Sequence, residues 1–193
     1  AARGLGRAYA LRLAELGAAV GVIDIDLKSY KAFEGEEKLL TAETTMDECR
    51  ALGVKSAGAE ADITNREAVF AAVAQIEKEL GPIDIVVCNA GGGMGAPDGN
   101  KASQLNWEQF YAVTERNYYG TVYTCNAVVP GMKKRGYGKV VNVISVGGLV
   151  ANSDGSYAHY ASAKAAIAQY TKLLAQEVGR YNVTANCIAP GFI

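Results

Sequence analysis

Tyr160 and Lys164 stand four residues apart in Tyr160-Ala-Ser-Ala-Lys164, within a stretch of helical spacing. On a helix that separation puts both side chains on one face. A phenol titrates near 10 when unperturbed, and an ammonium beside it favours the phenolate. Such a pair could pass a proton to and from an alcohol oxygen. Bringing the phenol to about 7 would take roughly 4 kcal/mol. That is a large demand on one neighbour, so a further cation or the helix field would have to help. The chain opens on a second constellation, Ala1-Ala2-Arg3-Gly4-Leu5-Gly6. A Gly-x-Gly at a helix start lets the backbone approach a phosphate, and the helix end offers N–H donors. Asp24 closes the next apolar run, about twenty residues on, where a carboxylate can accept the hydroxyls of a ribose. Each feature alone has a plain reading: a surface Tyr/Lys pair, a turn, a solvated strand-end Asp.

The elements that would position these groups alternate. Residues 4 to 16 carry Leu5, Tyr9, Leu13 and Leu16 at helical spacing, and Gly17 stops the helix. Ala18 to Asp24 reads as a strand, 41 to 52 as a helix ended by Gly53, and Val54 to Glu60 as a weaker strand. Val69, Val73, Ile76 and Leu80 mark a third helix, broken at Gly81-Pro82. Ile83 to Cys88 is a strand followed by a loop over 89 to 99. Residues 106 to 135 read as helical, with Pro130 near the end. Lys139 to Ser145 is a strand, 146 to 157 a loop, Ala158 to Gly179 a long helix and Asn182 to Ala189 a last strand. Strands apolar on both faces and separated by helices imply a parallel sheet covered on both sides. The expectation is an α/β fold, a Rossmann-like doubly wound parallel sheet in three α/β/α layers. Such sheets bind ligands beyond the carboxyl ends of their strands. The polar and Gly-rich punctuation falls there: Asp24, Asp62, Asn89 to Gly95, Ser145 and Pro190-Gly191.

Composition narrows the function. The 193 residues are half hydrophobic and a fifth charged, a globular composition. Nineteen basic residues oppose twenty acidic ones, so no excess of positive charge argues for a nucleic-acid partner. The uncharged stretch Val140 to Ala151 is too short to span a membrane. The four cysteines at 49, 88, 125 and 187 form no Cys-x-x-Cys pair, and His159 is the only histidine, so neither a metal site nor a disulfide framework is expected. Reduced thiols in a cytoplasmic protein fit best. No Gly-x-Ser-x-Gly elbow is present for a serine hydrolase.

Taken in order, these motifs resemble the short-chain dehydrogenase/reductase family from end to end. Ala1 to Gly6 is similar to the family's Gly-rich turn without its first Thr and Gly. Asp62-Ile63 looks like the pair that brackets the adenine, and Cys88-Asn89-Ala90-Gly91 like the family's Asn-Asn-Ala-Gly, with Cys in first place. Asn117, Ser145, Tyr160 and Lys164 match the catalytic set, and Pro190-Gly191 the final turn. The resemblance implies an NAD-dependent oxidoreductase that interconverts a secondary alcohol and a ketone. It makes Tyr160 the general acid/base. Lys164 would lower the Tyr160 pKa, helped by the nicotinamide cation, and bind the nicotinamide ribose. Ser145 would hold the substrate oxygen, and Asn117 a water linking Lys164 to solvent. The cofactor would lie on Arg3, Gly4, Leu5, Gly6, Asp24, Ile25, Asp62, Ile63, Asn89, Ala90, Gly91, Tyr160, Lys164, Pro190, Gly191 and Ile193. Asp24 would repel a 2′-phosphate and so favours NAD over NADP, although Arg3 could serve that phosphate. Alternatives are an NADP-preferring ketoreductase of the 3-oxoacyl type, a non-redox epimerase and a nucleotide sensor.

The chain departs from the family in three places. Ser145 precedes Tyr160 by fifteen residues, slightly more than in relatives, with the surplus in Ala151 to Ser156. Leu27 to Ala42 is roughly a dozen residues longer than usual and carries Tyr30, Phe33 and a charged run, which reads as a solvated excursion or a flap over the adenosine end. The expected architecture is one NAD(P)-binding Rossmann-fold domain over 1–193, lacking the family's first strand and its C-terminal substrate loop and last strand, as in an excerpt of a longer protein. Without that first strand, two neighbouring strands would face each other unpaired. His159, next to Tyr160, should point about 100° away from it, toward packing or substrate lining. Trp107, Tyr111, Tyr118 and Tyr119 read as core or subunit contact. By family analogy the protein is a homotetramer or dimer with a small-molecule alcohol or ketone as substrate.

Overall fold

A computed structural model describes residues 1–32, 35 and 38–191. Ile193, one of the expected cofactor residues, lies outside them, as does part of the 27–42 excursion. The chain forms two compact units, Ala1–Pro82 and Ile83–Ile193.

In the first unit, α1 (Gly4–Glu15) leads into β1 (Val20–Asp24), α2 (Thr45–Ala51), β2 (Ser56–Glu60) and α3 (Arg66–Leu80). The two strands pair in parallel, from Val20 against Ser56 to Asp24 against Glu60. The leucine stripe expected to bury α1 is only partly covered, and Leu16 is exposed. The buried face is instead Gly6, Ala10 and Ala14. Small side chains let the helix come close to the core, where Ala10 and Ala14 meet Val20, Val22, Met46 and Cys49. The same economy of volume recurs at Gly21, where a Cβ would collide with Ile76 Cγ2 of α3. The expected helix over 41–52 begins only at Thr45, because Thr44 caps it by accepting the Asp47 N–H at 3.2 Å. Asn65 caps α3 in the same way, through the Ala68 N–H at 3.0 Å.

In the second unit, β3 (Ile85–Cys88), β4 (Gly138–Val143) and β5 (Val183–Ile188) form a parallel sheet in that order. The helices are α4 (Trp107–Thr114), α5 (Gly120–Arg135) and α6 (Ala158–Val178). The continuous helix expected over 106–135 is interrupted by a π-helical segment, Glu115–Tyr119. Trp107 and Tyr111 are exposed and pack on each other and on Phe110, so they are not core residues. Beneath the sheet runs a neutral polar chain. Cys125 Sγ donates to Asn142 Oδ1 at 3.7 Å, Asn142 Nδ2 donates to Thr171 Oγ1 at 2.9 Å, and Thr171 Oγ1 donates to Ile167 O at 2.7 Å.

The strand order β2–β1 in one unit and β3–β4–β5 in the other is parallel throughout. Among the described residues, β1 pairs only with β2 and β3 only with β4, so the strands fall into a two-stranded and a three-stranded sheet. Among the same residues, no helix is long and apolar enough to cross a membrane.

Candidate active site

The C-terminal end of β4 delivers Ser145. Its backbone is extended (φ −153°, ψ 153°), and its Oγ accepts the Gly147 N–H at 3.2 Å, capping the short 3-10 turn Val146–Gly148. Gly148 lies flat on α6: a Cβ there would sit 2.9 Å from Lys164 C and Ala165 N. That close approach sets the Ser145 turn against the helix carrying Tyr160 and Lys164. That brings the Ser145 hydroxyl near the Tyr160 phenol, an interaction that favours the phenolate.

That interaction does not win. Burial pushes the Tyr160 phenol up from 10, and nearby Tyr157 adds to the rise. Lys164 was expected to lower that phenol, and in the structure it does not. Its Nζ donates to Val143 O at 2.8 Å and stands 5.7 Å from the centre of the Tyr160 ring. The ammonium is therefore turned to a carbonyl rather than to the phenol oxygen. Lys164 is itself 4% exposed, and burial lowers its pKa to about 8. An ammonium has three donors, so two remain beyond the Val143 bond.

The π-helical segment places Asn117, which is fully buried. π-helical turns often mark functional positions. Asn117 clasps one peptide: Oδ1 accepts the Gly92 N–H at 3.1 Å and Nδ2 donates to Gly92 O at 2.9 Å. The second Nδ2 hydrogen goes to Val113 O at 2.8 Å. Both donors are thus committed, and the water-holding expected of this side chain is left to the second lone pair of Oδ1. Asn117 also explains Gly91, which has φ +151° and where a Cβ would collide with Asn117 Oδ1 and lie 3.4 Å from Lys164 Nζ. Asn89, Ala90 and Gly91 follow β3 directly. Pro190 O accepts the Val146 N–H at 3.0 Å, which ties the final turn beside Ser145.

The first unit holds the remaining expected cofactor residues. Gly4 adopts φ +53° at the start of α1, a left-handed conformation that favours glycine. No side chain caps this helix at Arg3, and its first turn carries no acidic residue, a setting suited to an anion. Asp24 Oδ2 accepts the Ala2 N–H at 2.8 Å, while Oδ1 receives only a long 3.4 Å bond from Asp26 N–H. Burial pushes the Asp24 carboxyl up, and the N–H donors of Ala2 and Asp26 pull it down. Asp24 keeps one oxygen lightly engaged. Ile25 is exposed beside it. Asp62 is occupied locally, accepting the Thr64 N–H at 2.9 Å and its hydroxyl at 2.8 Å, with Ile63 half-buried next to it. The excursion after β1 is not wholly solvated: Tyr30 is buried and donates to Glu43 O at 2.5 Å.

Two side chains beside Tyr160 have a larger part than their sequence suggested. Tyr157, the residue before α6, has φ +57°, a conformation that costs a side chain roughly 1–2 kcal/mol. Its ring lies 5.3 Å from that of Tyr160 and meets His159 edge-on at 4.9 Å. His159 is fully buried, and its Nε2 hydrogen-bonds Met94 O at 2.9 Å. Their only sequence signal was proximity to Tyr160, because a left-handed backbone at a tyrosine has no residue-type signature.

Comparison with known proteins agrees with this geometry. Residues 1–193 match the short chain dehydrogenase family. Over 193 residues the chain is 47% identical to cyclohexanol dehydrogenase of Rhodococcus sp. (strain TK6), covering all of this chain and 72% of that one. It is 35% identical to the 3-oxoacyl-[acyl-carrier-protein] reductase FabG of Pseudomonas aeruginosa, again over its whole length and 71% of that protein. The solved structure of a 3-oxoacyl-[acyl-carrier protein] reductase with bound NAD from Brucella melitensis superposes with a TM-score of 0.81 at 32% identity, over 98% of this chain and 65% of that one. The chain belongs to the short-chain dehydrogenase family. It has that family's Rossmann-like α/β fold and is of its alcohol dehydrogenase and ketoreductase kind.

Proposed function

We propose that the protein interconverts a secondary alcohol and a ketone with NAD, and that Tyr160 is its acid–base group. The observation carrying this is the Ser145 turn pressed, through Gly148, against the helix that holds Tyr160 and a buried Lys164. A nicotinamide dinucleotide, when bound, supplies the hydride acceptor or donor. Tyr160 Oη takes the alcohol proton in oxidation and returns it in reduction. Ser145 Oγ holds the substrate oxygen as negative charge develops on it. Lys164 Nζ, fixed by Val143 O, would hold the nicotinamide ribose through its remaining donors. Asn117 acts by holding the Gly92 peptide, with Asn89, Ala90 and Gly91, in place.

The rest of the cofactor residues support NAD. The N-terminus of α1 at Arg3, Gly4, Leu5 and Gly6 suits the pyrophosphate, and Asp24, with Oδ1 lightly engaged, suits the adenosine ribose. Ile25, Asp62 and Ile63 would flank the adenine, and Pro190-Gly191 the nicotinamide. Arg3 favours the second reading, an NADP-dependent ketoreductase. Asp24 outweighs it because its carboxylate repels a 2′-phosphate. The relatives support a compact alicyclic alcohol first and a 3-oxoacyl thioester second. A single cofactor domain acting as a dimer or tetramer in the cytoplasm completes the proposal.

The test is absorbance at 340 nm with NAD or NADP and a panel of open-chain and alicyclic secondary alcohols. The expected result is NAD reduction, preferred over NADP by at least about tenfold in kcat/KM, a difference of about 1.4 kcal/mol. Preference for NADP would select the ketoreductase reading. Tight NADH binding without turnover of any alcohol or ketone would favour an epimerase or a sensor.

A further inference from the structure

Tyr157 is held from four sides. Its own N–H donates to Gly99 O at 2.8 Å, and the next N–H, of Ala158, donates to Asn100 O at 3.0 Å. Its ring abuts His159 edge-on at 4.9 Å, and His159 is pinned in turn to Met94 O. Its hydroxyl fills the place a Cβ on Gly93 would take, so the 93–100 loop is shaped around this side chain. A residue kept at φ +57° by so many contacts is a position the surroundings over-determine. The fifth face of the ring, 5.3 Å away and inclined by 49°, is Tyr160.

We propose that Tyr157 is a positioning residue for Tyr160: its ring, locked by His159, Gly93 and the Gly99–Asn100 backbone, fixes the bearing of the Tyr160 phenol toward Ser145. The inference rests on Tyr160 being the acid–base group. Catalysis by a positioned proton donor is steep in geometry, and a displacement near 1 Å can cost about a hundredfold. Ser145 lies near the Tyr160 oxygen, and Lys164 Nζ stands 5.7 Å from the Tyr160 ring centre but is tied to Val143 O. The ring contact with Tyr157 therefore sets the angle at which the phenol meets the substrate oxygen.

Three variants separate the ring from the backbone and from the hydroxyl. Tyr157→Gly adopts positive φ without strain and removes the ring. Tyr157→Asn tolerates the same backbone and serves if the glycine variant fails to fold. Tyr157→Phe keeps the ring alone. The expected kcat for alcohol oxidation falls about 10- to 100-fold in Tyr157→Gly or Tyr157→Asn, with KM for alcohol and cofactor within about threefold of the parent, and stays within about twofold in Tyr157→Phe. A raised KM at unchanged kcat would make Tyr157 a substrate-lining residue and overturn the proposal. So would full activity without the ring, or a phenylalanine variant as impaired as the glycine one.

A second readout is independent of turnover. Ser145, Tyr157 and Lys164 face Tyr160, and His159 faces Tyr157. Tyr160 titration is taken as the difference in tyrosinate absorbance between the parent and its Tyr160→Phe derivative. It should move to lower pH in Tyr157→Gly, which removes the ring, because Tyr157 raises the Tyr160 pKa. An unmoved titration would deny the contact. If Tyr160→Phe retains parental turnover, the acid–base reading is at fault. If Tyr160→Phe is inactive and Tyr157→Gly is active, only the positioning role is lost.

Discussion

The units Ala1–Pro82 and Ile83–Ile193 handle buried charge in opposite ways. In the first, Arg7 and Glu48 form a nearly buried bidentate pair, with Arg7 Nε to Glu48 Oε2 at 2.6 Å and Nη2 to Oε1 at 2.5 Å. Thr41 adds its N–H at 2.8 Å and its hydroxyl at 2.9 Å to the same carboxylate. The charge is fully partnered and serves the fold. In the second unit the buried charge is Lys164, which has one carbonyl at 2.8 Å. It is poorly compensated, and that leaves donors for a ligand. One unit uses charge to fasten α1, α2 and the segment after β1. The other keeps charge under strain where chemistry is proposed.

The largest expected effect breaks the fastened charge. Glu48→Ala leaves Arg7 desolvated and should lower stability by about 3–5 kcal/mol, read by urea unfolding. A loss under about 1 kcal/mol would make the pair ornamental. Glu48 also predicts a pH response. Its folded pKa lies below its ordinary 4.5, because bonds from Arg7 and Thr41 overcome the opposing effect of burial. Its contribution is therefore present above 4.5 and is lost as pH falls through the folded value.

Next in size, Gly91→Ala drives a Cβ into Asn117 Oδ1 and should cost about 1–3 kcal/mol, with cofactor affinity falling as well. An unchanged melting temperature would show that the Gly92–Asn117 clasp is loose.

Lys164→Met should move stability the other way. The folded pKa is about 8 against an ordinary 10.5, through burial. Below 8 both states are protonated and the folded state carries an unwelcome charge. Between 8 and 10.5 the unfolded chain holds more protons, so stability rises with pH there. The separation corresponds to about 3 kcal/mol at neutral pH. Loss of the Val143 bond offsets about 1 kcal/mol of it. Lys164→Met should thus be more stable by about 2 kcal/mol at pH 7, with the gain fading by pH 10, and inactive throughout. A destabilised variant at pH 7 would remove the contrast between the units.

The smallest effect is on cofactor choice. Asp24→Ala should shift the NAD to NADP preference by about tenfold, about 1.4 kcal/mol. No shift would place the ribose elsewhere.

The two units also differed in how legible they were. The parallel strands and the helix stop at Gly81 followed from pattern and residue type, whereas the cap at Thr44, which starts its helix at Thr45, was not read. The Tyr160/Lys164 pair and Ser145 were readable because side chains at fixed spacing carry the proposed chemistry. The α1 face was misjudged because the leucine stripe outranked Gly6, Ala10 and Ala14, where small volume rather than apolarity decides burial. The π-helical segment at Asn117 and the left-handed Tyr157 had no local signature. Both meet partners distant in sequence, the Gly92 peptide for the first and Gly93 and Gly99 for the second. The direction of the Lys164 ammonium could not be read from spacing, since i, i+4 sets the face but not the carbonyl it meets.

The most direct test of the account is NAD reduction by an alicyclic secondary alcohol, comparing the protein with Tyr160→Phe at matched NADH affinity. The account predicts turnover that rises with pH in the parent, as the high-lying phenol ionises, and that falls about 10²–10⁴-fold in the variant. Parental turnover in Tyr160→Phe, with cofactor binding intact, would contradict it.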